Sequence, residues 1–230
     1  MLINLRNALM AGKRWKNPYV TDGLVAMWDG EWNAGGGIHD PNATTWGDIS
    51  ENGHDIALTA GSFGAKSFIC DGRAGFGDTI TSDILTIEFV GKTTLNSSQL
   101  CAGLKLNPSN TNLYRRFIGF FSSGTALQFG QAGPRISTEL NTLLYGAEVF
   151  TSATDVIGTL YKNGLQTTSI GSGSGFTTGG EPRICIGGVA NGPAYPFKGE
   201  INRISIYSRA LSASEIAANY AIDKARFGLP

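Results

Sequence analysis

Charge is what this sequence has least of. Only 16% of its 230 residues are charged, 18 basic and 18 acidic, for a formal net charge of zero. That balance excludes binding to nucleic acid or to an anionic membrane surface through bulk electrostatics. Long hydrophobic runs are missing too. None approaches the roughly 18–20 residues of a membrane span, so no membrane insertion is expected. Cysteine is scarce: Cys70, Cys101 and Cys185 lie far apart with no CxxC, which excludes zinc and dithiol motifs. Phe68-Ile69 before Cys70, and Ile184 and Ile186 around Cys185, make them small buried hydrophobes of a chain folded in a reducing cytosol. No unbroken apolar stretch follows a basic N-terminal region. MLINLRNALM is interrupted by Arg6 and Asn7, and the basic cluster comes after it. No signal peptide is expected.

What the chain has instead is glycine, 32 residues, about twice the usual ~7%. There is no Gly-X-Y period, so collagen is excluded. A hydrophobic content of 41% excludes disorder. The first 21 residues hold Arg6, Lys13, Arg14 and Lys16 and no acid. They are expected to form a basic-apolar arm, residues 1–21, that docks to an assembly through Leu2, Ile3, Leu5, Leu9 and Trp15. Residues 22–230 then form one domain.

The domain reads as short strands between turns. Leu24 to Trp28 is a strand, followed by a loop over 30–46 with Gly35 to Gly37 in a row. A turn over 47–55 leads to a strand at Ile56. Asp83 to Val90 alternates, with Leu85, Ile87 and Phe89 on one face and Thr86 and Glu88 on the other, and predicts a half-buried antiparallel strand. Arg116–Phe121 and Ala126–Phe129 predict a hairpin. Asn163-Gly164 between strand residues predicts another, because both central positions of a type I′ turn need positive φ. Gly171 to Gly180 is a loop, and strands at Ile184 to Ile186 and Glu200 to Tyr207 close the domain. Ser212 and Glu215 form a capping box, and Leu211 and Ile216 its staple. The helix carries Ile216, Tyr220 and Phe227 as its apolar stripe and ends at Gly228. About a dozen strands, no βαβ alternation and one late helix predict an all-β, two-sheet antiparallel jelly-roll sandwich with a C-terminal helix.

Five segments, in order, resemble one family: Gly23 to Trp28, Trp46 to Asp55, Leu85 to Phe89, Tyr161 to Gly164, and Ile186 to Gly188 followed by Phe197 to Ile216. Together they are similar to the laminin-G-like branch of the concanavalin A-like lectin/glucanase superfamily. The chain departs from that pattern at Glu51, where the family usually has Gly, and at Asn202, where it often has Asp. The resemblance implies a concanavalin A-like sandwich whose closing strand lies beside its opening strand. It does not by itself imply a function, since this superfold hosts lectins, hydrolases, lyases and inert spacers.

A retaining glycosidase needs two carboxyls about 5–5.5 Å apart, which neighbouring same-face positions of a strand supply. Asp29-Gly30-Glu31 is the only such spacing, and it falls at a strand end in a glycine-rich loop, where solvation is the simpler reading. No catalytic residue is therefore expected. Gly171 to Gly180 lacks the Gly-Lys-Ser/Thr of a phosphate loop. The resemblance implies that a structural calcium ion could sit near the opening strand, with Asp29, Asp48 and Asp71 as ligands. Asp48 could equally cap its own turn. Sugar rings have an apolar face and a hydroxyl rim, so glycan binding calls for an aromatic platform beside polar groups. Trp32 and Trp46 flank the long loop with Asn33 and His39, and Tyr195 lies in a later loop. Trp46 could also pack beneath the loop. The expected function is a non-catalytic, lectin-like recognition or structural module, a component of a bacteriophage or prophage virion or of a cell surface. It would be made in the cytoplasm and would bind glycans or neighbouring subunits. The rivals are a ligand-free decoration or fibre subunit and a hydrolase or lyase of the same superfamily.

Overall fold

The computed structural model describes residues 15–72, 74–78, 80, 82–104, 116–121, 124–129, 135–152, 158–169, 184–188 and 196–230. Residues 1–14 of the arm, the loop over 171–180 and Tyr195 lie outside them. The described strands number sixteen rather than a dozen. In chain order they are β1 Leu24–Asp29, β2 Thr45–Trp46, β3 Ile56–Leu58, β4 Ser62–Phe63, β5 Phe68–Asp71, β6 Gly75–Gly77, β7 Thr86–Thr93 and β8 Gln99–Leu104. They continue with β9 Arg116–Phe121, β10 Ala126–Phe129, β11 Arg135–Ser137, β12 Leu144–Val149, β13 Thr159–Lys162, β14 Leu165–Thr167, β15 Cys185–Ile186 and β16 Lys198–Tyr207. One helix, α1 (Ala213–Phe227), follows.

The strands form the expected two antiparallel sheets. The first runs β14-β13-β12-β7-β16-β5-β4, and the second β11-β10-β9-β8-β15-β6-β3-β2. β16 lies against β7 along one side. On its other side it pairs with β5 over Lys198 to Ile201, then with β1 over Arg203 to Tyr207. The change of partner falls at Asn202, where the register with β7 shifts, as a β-bulge requires. The closing strand thus lies beside the opening strand.

Between the sheets Trp28, Ile87, Phe89, Ile204 and Ile206 of the first meet Ile56, Ile118, Phe120 and Phe129 of the second. The outer face of the first sheet is covered as well. Val90, Tyr145, Ala147 and Tyr207 pack beneath Leu211 and Ile216. The half-buried expectation for Asp83 to Val90 is therefore corrected. β7 is buried on both faces, and even Glu88 has no exposed surface, because α1 roofs the side that alternation assigns to water.

Local signals hold where they are local. Asn163 and Gly164 have φ of 49° and 75° and join β13 to β14 as a two-residue hairpin. The Glu215 amide donates to Ser212 Oγ, and the Ser212 amide donates to Glu215 Oε2 at 2.8 Å. Gly228 closes α1 with φ of 73°. The stripe is less apolar than its periodicity suggests. Ile216 is buried, but the line is completed by Asn219 and Asp223, both without exposed surface, with Tyr220 and Phe227 at its margins.

Candidate functional site

The polar residues of α1 are buried because they meet partners. Arg203 of β16 lies between two carboxylates. It donates from Nη1 to Glu88 Oε2 at 2.9 Å and from Nη2 to Asp223 Oδ2 at 2.5 Å. Tyr145 donates its hydroxyl to Glu88 Oε1 at 2.6 Å. Asn219 donates to the same carboxylate and to the Tyr207 hydroxyl. Tyr19 donates to Asp223 Oδ1 at 2.6 Å, and the Val20 amide to Asn219 Oδ1 at 3.0 Å. With two acids on one guanidinium, burial outweighs the pull of Arg203 and pushes the Asp223 carboxyl up from its ordinary 3.8 to about 6. The Tyr19 and Tyr145 hydroxyls rise from the same cause, burial first and the neighbouring carboxylates after it. Such a satisfied network specifies one packing of strap, sheet and helix.

That strap is Trp15 to Thr21. It belongs to the segment expected as an arm, and the boundary drawn at residue 21 falls inside packed chain: Tyr19 is only 4% exposed. The Trp15 indole lies directly on the backbone of Gly36 and Gly37. A Cβ at Gly36 would stand 2.1 Å from its ring. Its edge meets Trp32, ring centroids 5.4 Å apart. The glycine run of the long loop is therefore a seat for an indole.

The expected site residues are placed as follows. Trp32 is half-buried, and the Arg226 guanidinium lies over its ring, 3.5 Å from the centroid. Trp46 is fully buried against Phe63 and Phe68 and donates from Nε1 to the Asp29 carbonyl. It packs beneath the loop and offers no platform. Asn33 is fully buried and exchanges two hydrogen bonds with the Asp40 backbone. His39 is exposed. Tyr195 lies outside the described residues. The structure thus brings none of the described glycan candidates together on an open surface.

The three aspartates do not converge on a cation either. Arg226 donates to both oxygens of Asp29 and to Glu31 Oε2, at 2.7, 2.9 and 2.8 Å. Burial opposes the charge of Arg226, but the bonds and charge of Asp29 outweigh it and hold the guanidinium above its ordinary range. Asp48 accepts from the amides of Met27, Ser50 and His54, which is the turn-capping role. Asp71 makes an exposed ion pair with Lys198 at 2.6 Å. Among the described residues no three His, Cys, Asp or Glu side chains form a metal-sized group. A calcium ion held by these three does not fit.

Cys70 and Cys185 are buried, and neither forms a disulfide. Burial pushes the Cys70 thiol up to about 12, so it is an inert filler.

One open concavity has mixed chemistry. A groove of about 600 Å³ lies between the strap and the turn over 48–55. Leu24, Ile49, Trp15, Lys16, Glu51 and Asn52 are among its lining residues. The turn is rigidly held. Asp48 caps it, Ser50 Oγ donates to Asp48 Oδ2 at 2.8 Å, and Asn52 Nδ2 donates to the Leu24 and Val25 carbonyls. Glu51 sits at φ of 69°. The family's usual Gly at this position therefore has a physical reason, and this chain forgoes it. The sequence alone does not reveal this groove, because Trp15 there reads as part of a docking arm. The available signal was the glycine run, which needs something flat to press on it.

Residues 90–217 match a laminin-G model of the concanavalin A-like lectin/glucanases superfamily. Comparison with curated proteins returned no match. Among solved structures, Trypanosoma rangeli sialidase in complex with sialic acid is similar with a TM-score of 0.57 at 16% identity. The match covers 91% of this chain and 34% of that one. The receptor binding domain of botulinum neurotoxin C/D mosaic serotype is similar with a TM-score of 0.54 at 10% identity, covering 88% of this chain and 52% of that one. At these identities the likeness is one of fold, and the chain spans about a third of the sialidase's length.

Proposed function

The chain belongs to the concanavalin A-like lectin/glucanases superfamily, and from that premise we propose that it is a non-catalytic recognition or structural module. One observation carries this reading. The acid pair that the sequence offers for hydrolysis, Asp29 and Glu31, is occupied by Arg226. Three of their four oxygens accept from its guanidinium, so the pair is engaged in a structural contact. Among the described residues the remaining buried acids, Glu88, Glu148 and Asp223, have no exposed surface. Two of them, Glu88 and Asp223, are bonded to Arg203 beneath α1. Low charge and a two-sheet sandwich with a buried, inert Cys70 support a component of a virion or cell surface that meets glycans or neighbouring subunits.

A glycan array probed with the whole chain, with and without EDTA, tests the reading beside a reducing-sugar release assay. Saccharide binding without turnover is the expected result. EDTA is expected to change nothing, given how Asp29, Asp48 and Asp71 are engaged. Turnover of any glycan would overturn the non-catalytic reading. Silence on the array would leave the ligand-free structural subunit.

A further inference from the structure

Resting on the recognition reading, we propose that the groove between the strap and the turn over 48–55 is a saccharide site for a short neutral oligosaccharide. Its volume, about 600 Å³, lies in the range of small-molecule sites. The floor is apolar, from Leu24 and Ile49, and an indole joins it. Trp15 is held in place by its seat on Gly36 and Gly37 and by Trp32, so its ring is ordered before a ligand arrives. The rim is polar. Glu51 and Lys16 are exposed and have no hydrogen-bond or ion-pair partner among the described residues. A carboxylate and an ammonium accept from and donate to hydroxyls, and their charges balance, which favours a neutral sugar over an acidic one.

The backbone adds an independent argument. The turn has two left-handed positions, Glu51 at φ of 69° and Gly53 at φ of 84°. Glycine fills one at no cost. At the other the chain keeps a side chain that the conformation disfavours, on a turn pinned by Asp48, Ser50 and Asn52. Strain that persists in a turn this well braced points to a use for the side chain.

Glu51→Gly separates a binding role from a structural one, since it relaxes the backbone and removes the carboxylate. Its Tm is expected to match or exceed that of the native chain, while affinity for the strongest neutral array ligand falls ten-fold or more by calorimetry. Lys16→Ala is expected to weaken the same ligand, and the Trp15 indole N–H resonance to shift on titration. Asp71→Ala, at the Lys198 ion pair, is expected to leave affinity unchanged. Unaltered binding by Glu51→Gly and Lys16→Ala would overturn the groove assignment and leave the recognition reading standing. Hits confined to acidic glycans would overturn the neutral class. No hit at all for the native chain would overturn glycan recognition and the groove with it.

Discussion

At the scale of single residues, the most consequential atoms are those of Arg203, Glu88 and Asp223. Asp223 keeps its proton to about pH 6 in the folded chain and loses it near 3.8 when unfolded. Between these values the unfolded state releases its proton first. The stability that Asp223 contributes is therefore full below about pH 4 and is lost as pH rises through 6. Asp223→Asn should abolish that dependence. The urea midpoint of the native chain is expected to fall relative to that of the variant as pH is raised from 4 to 6, and parallel curves would count against it. None of this was legible in the sequence. Glu88 and Arg203 are separated by 115 residues, and each alone reads as a strand's solvent-facing charge. Only the roof formed by α1 buries them, and a roof is not a local property. Glu51 is the opposite case. Its departure from the expected glycine is visible in the sequence, and the positive φ supplies the meaning.

Elements were legible where one short segment carries the whole signal. The Asn163-Gly164 hairpin, the capping box at Ser212 and the strand at Leu24 need only their neighbours. The strap over 15–21 was not legible, because its partners are the glycine run, 21 residues on from Trp15, and a helix near the end of the chain. The candidate groove was missed for the same reason. Gly36→Ala tests the strap as an element. The added methyl would overlap the Trp15 ring and is expected to eject it. Losing that burial should cost about 1–2 kcal/mol and lower Tm by about 2–8 °C for a chain of this size. Tryptophan emission should move to longer wavelength as Trp15 becomes wet. An unchanged spectrum and Tm would mean that the seat contributes nothing.

For the whole molecule, the folded body begins by Trp15 rather than at residue 22. Removing residues 1–20 takes Tyr19 from Asp223 and the Val20 amide from Asn219, and is expected to lower Tm clearly, since it leaves buried polar groups without partners. An unchanged melt after that truncation would contradict this account. The position of β16 has a consequence for how the chain is made. It is the last strand in sequence, yet it lies inside the first sheet, with β7 on one flank and β5 and β1 on the other. On the ribosome β1, β5 and β7 must therefore wait without their shared neighbour until β16 has been made. Long-range pairing of this kind is slow, and edges left open attract other chains. The first sheet thus cannot close until β16 has left the ribosome.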